Sequence, residues 1–141
     1  MLKSDEIKWR HVGMKLRSRL KQAGFLNGCG PKAGWAGKLV PNRILRLDVE
    51  EFCDWHDFNY LVGGKEADRV KADWQFYEAI HDRARELTAH WWGLVGRPLY
   101  FLTAWAYYRA VRLGGAPHFR YGERLTEAAL MDLLMRAEER T

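Results

Sequence analysis

Apolar and polar positions along this chain alternate mostly with the period of a helix. In the first segment Ile7, His11, Met14 and Leu20 fall roughly on one side, with Lys8, Lys15, Arg19 and Lys21 elsewhere, which predicts a basic amphipathic helix. The glycine-rich stretch from Gly24 to Gly37 ends it and is too irregular for a helix or a strand. Asp48 then stands as an N-cap with Glu51 as its capping-box partner, predicting a second helix from about Val49 to Val62 that stops at Gly63-Gly64. A third fits Lys65 to Thr88, with Val70, Tyr77 and Ile80 on one side. Pro98 suits the first turn of a helix lasting to about Leu113, where Gly114-Gly115 ends it. A final amphipathic helix, Glu123 to Glu139, carries Leu125, Ala129, Met131, Leu134 and Met135. Strand signals are weak, so the expected fold is mainly α.

The stretch from His90 to Gly115 is the most apolar. Arg97 and Pro98 interrupt it, and the run from Leu99 to Tyr108 is shorter than the roughly 20 residues a bilayer crossing needs. A buried helix is the expectation, with an interfacial helix anchored by Trp and Tyr as the alternative. With 141 residues the chain suits one domain, 1–141, around one core. There is no internal repeat and no low-complexity segment.

Composition narrows the class. Hydrophobic residues make up 48% and aromatic residues 13%, with seven tryptophans, which excludes a disordered chain. The 23 Lys and Arg against 18 Asp and Glu leave a net charge of +5, which favours anionic partners without choosing among them. The N-terminal stretch has no apolar core followed by a small-residue cleavage site, so it does not read as a signal peptide.

The chemistry gathers in the second helix. Cys53, His56, Asp57 and Tyr60 stand at i, i+3, i+4 and i+7, so they share one face. Trp55 and Phe58 are displaced to other faces. A thiol, an imidazole, a carboxylate and a phenol make a poor core stripe. Neighbouring helical side chains diverge by about 100°, so His56 and Asp57 suit two adjacent centres. One is a neutral imidazole acting as general base on water, the other a hard carboxylate for a cation. The base needs a second carboxylate to fix its tautomer. Asp73, on the same stripe as Val70, Tyr77 and Ile80, is favoured over Asp68, which reads as a surface pair with Arg69.

A cation on one aspartate needs further oxygen ligands, and calcium takes six to eight, backbone carbonyls included. Glycines allow a loop to aim several carbonyls inward. "NGCGPKAGWAG" therefore reads either as a connector or as such a loop. Its Cys29 and the helical Cys53 are the two cysteines of the chain. They admit a disulfide tethering loop to helix, two free thiols, or a zinc site with His56 and one more histidine. No CxxC or HxxxH supports the last.

Taken together, "CGP" in a glycine-rich loop, then "CDWHDFNY", then the Asp of "ADWQFYEAI", resemble the calcium-dependent phospholipase A2 superfamily, closest to its small bacterial, phage and viral members. The resemblance covers about residues 24–80. It implies a core at about 24–88 of two antiparallel catalytic helices with a glycine-rich calcium loop, extended by C-terminal helices at about 89–141. By the same resemblance His56 is the general base, Asp73 the carboxylate orienting it, and Tyr60 the hydroxyl bonded to Asp73. Asp57 and the carbonyls of Gly28, Gly30 and Lys32 are calcium ligands, the Gly30 N–H faces the oxyanion, and Cys29–Cys53 is a disulfide. Lys32 and Ala33 stand where the family often has paired glycines. Only one of the family's several disulfides can form, so a larger apolar core including Trp91, Trp92 and Trp105 is expected to supply stability.

The implied activity is calcium-dependent hydrolysis of the sn-2 ester of glycerophospholipids, with a phospholipid surface as peripheral partner. The basic first helix and the tryptophans are expected to seat the chain there. An extracytoplasmic or phage-associated setting goes with this reading. The rival is a non-catalytic module that kept the scaffold and binds lipid, protein or nucleic acid. No recognised nucleic-acid-binding motif is present.

Overall fold

The computed structural model describes residues 7–27, 43–44 and 47–140. The loop positions Gly28, Cys29, Gly30, Lys32 and Ala33 lie outside them. The described residues are mainly α-helical, with α1 Met14–Gln22, α2 Glu50–Val62, α3 Glu66–Leu87, α4 Arg97–Gly114 and α5 Glu127–Glu139. A two-residue antiparallel pairing joins Arg43–Ile44 to Leu47–Asp48.

Only Gly63, Gly64 and Lys65 separate α2 from α3, so the chain turns back at once and α3 packs against α2 on one side and α4 on the other. No β-hairpin intervenes. Gly63 permits the turn because its φ is +73°, a region L side chains rarely enter. A methyl group there would also strike the carbonyl oxygen of Arg120. The segment after α4 returns to clasp this turn. Arg120 N–H donates to Tyr60 O at 3.1 Å, Gly64 N–H to Arg120 O at 3.1 Å, and Leu125 N–H to Val62 O at 2.9 Å.

Apolar clusters flank α2 on two sides. Phe58 and Val62 pack with Val12, Leu20, Leu130 and Leu134 from the N-terminal segment and α5. Cys53 packs with Phe76, Ile80, Ala104 and Tyr107 from α3 and α4. The face between them carries His56 and Tyr60, which are therefore buried. Helix α1 is held to this frame by ion pairs, Lys21 with Glu50 at 2.6 Å and Asp54 at 3.3 Å, and Arg19 with Glu138 at 2.8 Å.

Several expectations are corrected. The first amphipathic helix is broken: Trp9–His11 is a single 3-10 turn, Gly13 is extended, and Met14 points to solvent instead of joining Leu20. Asp48 does not cap α2; Val49 holds that position without a side-chain bond, and Glu50 and Glu51 pair with Lys21 and Arg17. Val70 is exposed, and the inward face of α3 runs instead through Arg69, Ala72, Asp73, Phe76 and Ile80. The last helix starts later than Glu123, because Thr126 is the residue whose hydroxyl accepts the Ala129 N–H.

The largest correction concerns tryptophans. Trp91, Trp92 and Trp105 lie outside the core; Trp91 is 83% exposed. The buried-helix reading of the apolar stretch fails with them, since α4 buries Ala104 and Tyr107 and leaves Leu99 and Leu102 in solvent. Among the described residues no helix is long and apolar enough to cross a membrane.

Candidate functional site

The site is built across the α2–α3 interface and closed by α4. His56 and Tyr60, one turn apart on α2, converge on Asp73 of α3. His56 Nε2 lies 2.7 Å from Asp73 Oδ1, and Tyr60 Oη donates to the same oxygen at 2.6 Å. Asp73 is 0% exposed and His56 is 6% exposed. The imidazole is packed between the rings of Tyr60, at 4.2 Å between centroids, and Phe76, at 4.7 Å.

A bare carboxylate is costly to bury, and this one is surrounded by donors. Arg112, in the last turn of α4, donates from Nη1 to Asp73 Oδ2 at 2.7 Å. Arg69 brings a second guanidinium to 3.6 Å from the same oxygen. Burial pushes the Asp73 carboxyl up, but the bonds from His56, Tyr60 and Arg112 outweigh it and hold the group below its ordinary value. Burial, followed by the bond to Asp73, raises the Tyr60 phenol well above the usual range, so it stays a donor.

This fixes the imidazole tautomer. An ionised Asp73 has no proton to give, so Nε2 must carry the hydrogen that joins them. Nδ1 is then left as the basic nitrogen. A buried imidazole with one nitrogen tied to a carboxylate and the other unprotonated can accept a proton from water.

The arginines continue into a wider network. Glu66 accepts from Arg69 Nη2 at 2.8 Å, from Tyr121 Oη at 2.6 Å and from Arg112 Nη2 at 3.3 Å. The Arg69 guanidinium, more than the Tyr121 hydroxyl, brings its carboxyl down to about 2. Gly115 ends α4 against the Tyr60 hydroxyl, and a methyl group at Gly115 would collide with that oxygen and with Val111 O.

Arg112, Arg69, Glu66 and Tyr121 were not foreseen as site residues. The C-terminal half carries no motif, yet Ala104, Tyr108 and Arg112 fall at i, i+4 and i+8, which places an arginine in line with a buried alanine. That was the available signal. The pairing expected between Asp68 and Arg69 does not form; Asp68 accepts from Lys65 N–H at 2.8 Å and from Arg124 at 3.2 Å, and Arg69 is buried beside Asp73.

Asp57 lies next to His56 and is partly exposed. Its Oδ2 accepts the N–H of Asn27 at 2.8 Å, so the residue that opens the glycine-rich loop touches this carboxylate. Cys53 is buried on the same helix, and its pairing with Cys29 lies outside the described residues. So do the ligand positions Gly28, Gly30 and Lys32. Among the described residues no group of three or more His, Cys, Asp or Glu side chains could hold a metal ion. Compared with family models, curated proteins and solved structures, the chain shows no match.

Proposed function

We propose that the chain is a phospholipase A2-like ester hydrolase acting on the sn-2 ester of glycerophospholipids, with α2 and α3 as its catalytic helices. The observation that carries the reading is the buried His56–Asp73–Tyr60 contact, which leaves His56 Nδ1 as a base. Nδ1 takes a proton from water as the water oxygen attacks the ester carbonyl carbon. The tetrahedral species collapses, the bond to the glycerol oxygen breaks, and His56 returns the proton to that oxygen. A fatty acid and a lysophospholipid leave. Asp73 holds the ring in orientation and stabilises the imidazolium between the two steps.

Asp57 suits a hard cation by its chemistry, and its contact with Asn27 joins it to the loop whose carbonyls the resemblance assigns as further ligands. Asp57, with the carbonyls that the resemblance assigns to Gly28, Gly30 and Lys32, would hold calcium, which would supply positive charge for the substrate phosphate and the oxyanion. A Cys29–Cys53 disulfide would keep that loop on α2.

The test is fatty-acid release from mixed liposomes. His56→Ala and calcium chelation should each abolish it, the variant keeping its helical circular dichroism. Undiminished release in both cases sinks the mechanism. A folded chain that releases no fatty acid and binds DNA in a salt-sensitive manner favours the non-catalytic module instead.

A further inference from the structure

The two helices that bury His56 and Asp73 between them also form an open cleft on another side. Neighbouring helical side chains diverge by about 100°, so Trp55 and Asn59 of α2, and Lys71 and Gln75 of α3, turn away from the buried base. Together with Lys8 and Arg10 they line a cleft of about 440 Å³. That falls within the roughly 300–1,000 Å³ usual for small-ligand sites. Neither His56 nor Asp73 borders it.

The groups that line it are unengaged. Lys8, Arg10 and Lys71 are exposed and form no ion pair among the described residues. Asp68, the carboxylate of the described lining, already accepts Lys65 N–H at 2.8 Å and Arg124 Nη1 at 3.2 Å. The cleft therefore keeps the charge of all three cations. The half-buried carboxamides of Asn59 and Gln75 make no side-chain hydrogen bond among the described residues. Trp55, also half-buried, pairs with no ring there, and its indole N–H meets no acceptor. Other indoles are occupied. Trp74 donates to Glu78 at 2.6 Å and packs on Tyr77. Trp9, which also borders the cleft, has the Arg17 guanidinium 3.9 Å over its ring.

Cations alone suit any anion, but the rest of the lining narrows the ligand. An acyl chain would leave both carboxamides dry and unpaired. A flat heterocycle carrying phosphate uses every kind of group present. Its face stacks on an indole, and its phosphates meet lysine and arginine. Adenine presents an amino donor beside a ring-nitrogen acceptor, the edge that a carboxamide matches with two bonds. Because α3 runs back along α2 from the Gly63 turn, Trp55 and Gln75 stand at one end of the cleft. Asn59 and Lys71 lie about 6 Å nearer the turn. We propose that this cleft binds an adenine nucleotide, with the base on Trp55 and Gln75 and the phosphates on Lys71, Lys8 and Arg10. The site is independent of the hydrolase reading, since it shares no residue with the base or its carboxylate.

The experiment is isothermal titration calorimetry of the whole chain at low salt without divalent cations. The probes are ADP, adenosine, pyrophosphate and a single-stranded oligodeoxyadenylate. Wild type should bind ADP at least about tenfold more tightly than adenosine or pyrophosphate. Trp55→Leu and Lys8→Gln/Lys71→Gln should each weaken ADP binding about tenfold or more. Only the lysine variant should also flatten its salt dependence. Both lysines are exposed, so that variant still decides the matter if circular dichroism shows Trp55→Leu unfolded. Absence of ADP binding, adenosine or pyrophosphate bound as tightly as ADP, or folded variants that bind as wild type does, overturns the proposal. So does an oligodeoxyadenylate bound more than about a hundredfold more tightly than ADP, since the cleft then follows a strand.

Discussion

Arg112 and His56 grip opposite oxygens of one buried carboxylate: Arg112 Nη1 lies 2.7 Å from Asp73 Oδ2, and His56 Nε2 lies 2.7 Å from Asp73 Oδ1. The imidazole is thereby linked through Asp73 to α4. Removing the arginine leaves a buried negative charge with one fewer partner. Arg112→Gln should lower the unfolding free energy by about 1–3 kcal/mol, less than for a fully buried pair because Arg69 remains close. Urea denaturation followed by circular dichroism checks this, and a change within about 0.3 kcal/mol would show that Arg69 suffices.

Tyr60 offers a milder perturbation of the same carboxylate. Tyr60→Phe keeps the ring against His56 and Phe119 but deletes the 2.6 Å bond to Asp73. The expected cost is about 1–2 kcal/mol of stability. Fatty-acid release should fall by about tenfold or less, since His56 keeps its own bond to Asp73. A loss as complete as that of His56→Ala would give the hydroxyl a direct part in the reaction.

Gly115 is a steric test of the same contact. Gly115→Ala places a methyl group against the Tyr60 hydroxyl and Val111 O. The variant should be destabilised by about 1–3 kcal/mol and should lose activity through a displaced Tyr60. The double variant Gly115→Ala/Tyr60→Phe should then lose less stability than the two single changes summed. Strict additivity in denaturation experiments would show that the methyl group is accommodated elsewhere.

Acid should expose the cost of burying Asp73. Its folded carboxyl lies below the ordinary value of 3.8, so the unfolded chain takes up the proton first as pH falls. The stability from its ionised form is complete above that ordinary value and is lost as pH drops through the folded one. Denaturation midpoints measured from about pH 6 to pH 3 should fall more steeply in wild type than in Asp73→Asn. Parallel slopes would remove Asp73 from the acid transition.

Much of the site was legible because it is local. Cys53, His56, Asp57 and Tyr60 lie within two turns of one helix, and a helix presents such residues together whatever surrounds it. Asp73 stood out as a carboxylate on an otherwise apolar stretch, although Val70, used to define that stretch, turned out exposed. Helix ends marked by Pro98, Gly63 and Gly114 were read well. Arg112 was legible only as an arginine in line with Ala104, because its meeting with Asp73 depends on how α4 crosses α3. The tryptophans misled for the opposite reason. They were expected in the core to make up for the disulfides the chain lacks, but only packing decides which indoles find partners, and the turn at Gly93–Val95 holds Trp91 and Trp92 in solvent. At Asp48 a capping pattern lost to the short pairing with Arg43.

The two halves of the Asp73 constellation close over very different lengths of chain. His56 and Asp73 are separated by 17 residues and one tight turn, whereas Arg112 lies 39 residues beyond Asp73. Closing the shorter loop sacrifices less chain entropy. On a ribosome, α2 and α3 emerge before α4, so the carboxylate and imidazole can meet while their arginine is still unmade. Until α4 arrives, the nascent pair must keep Asp73 hydrated or protonated. Full burial of the His56–Asp73 pair thus waits on the C-terminal helices, and a chain released early would carry the motif without the arginine that helps to bury it.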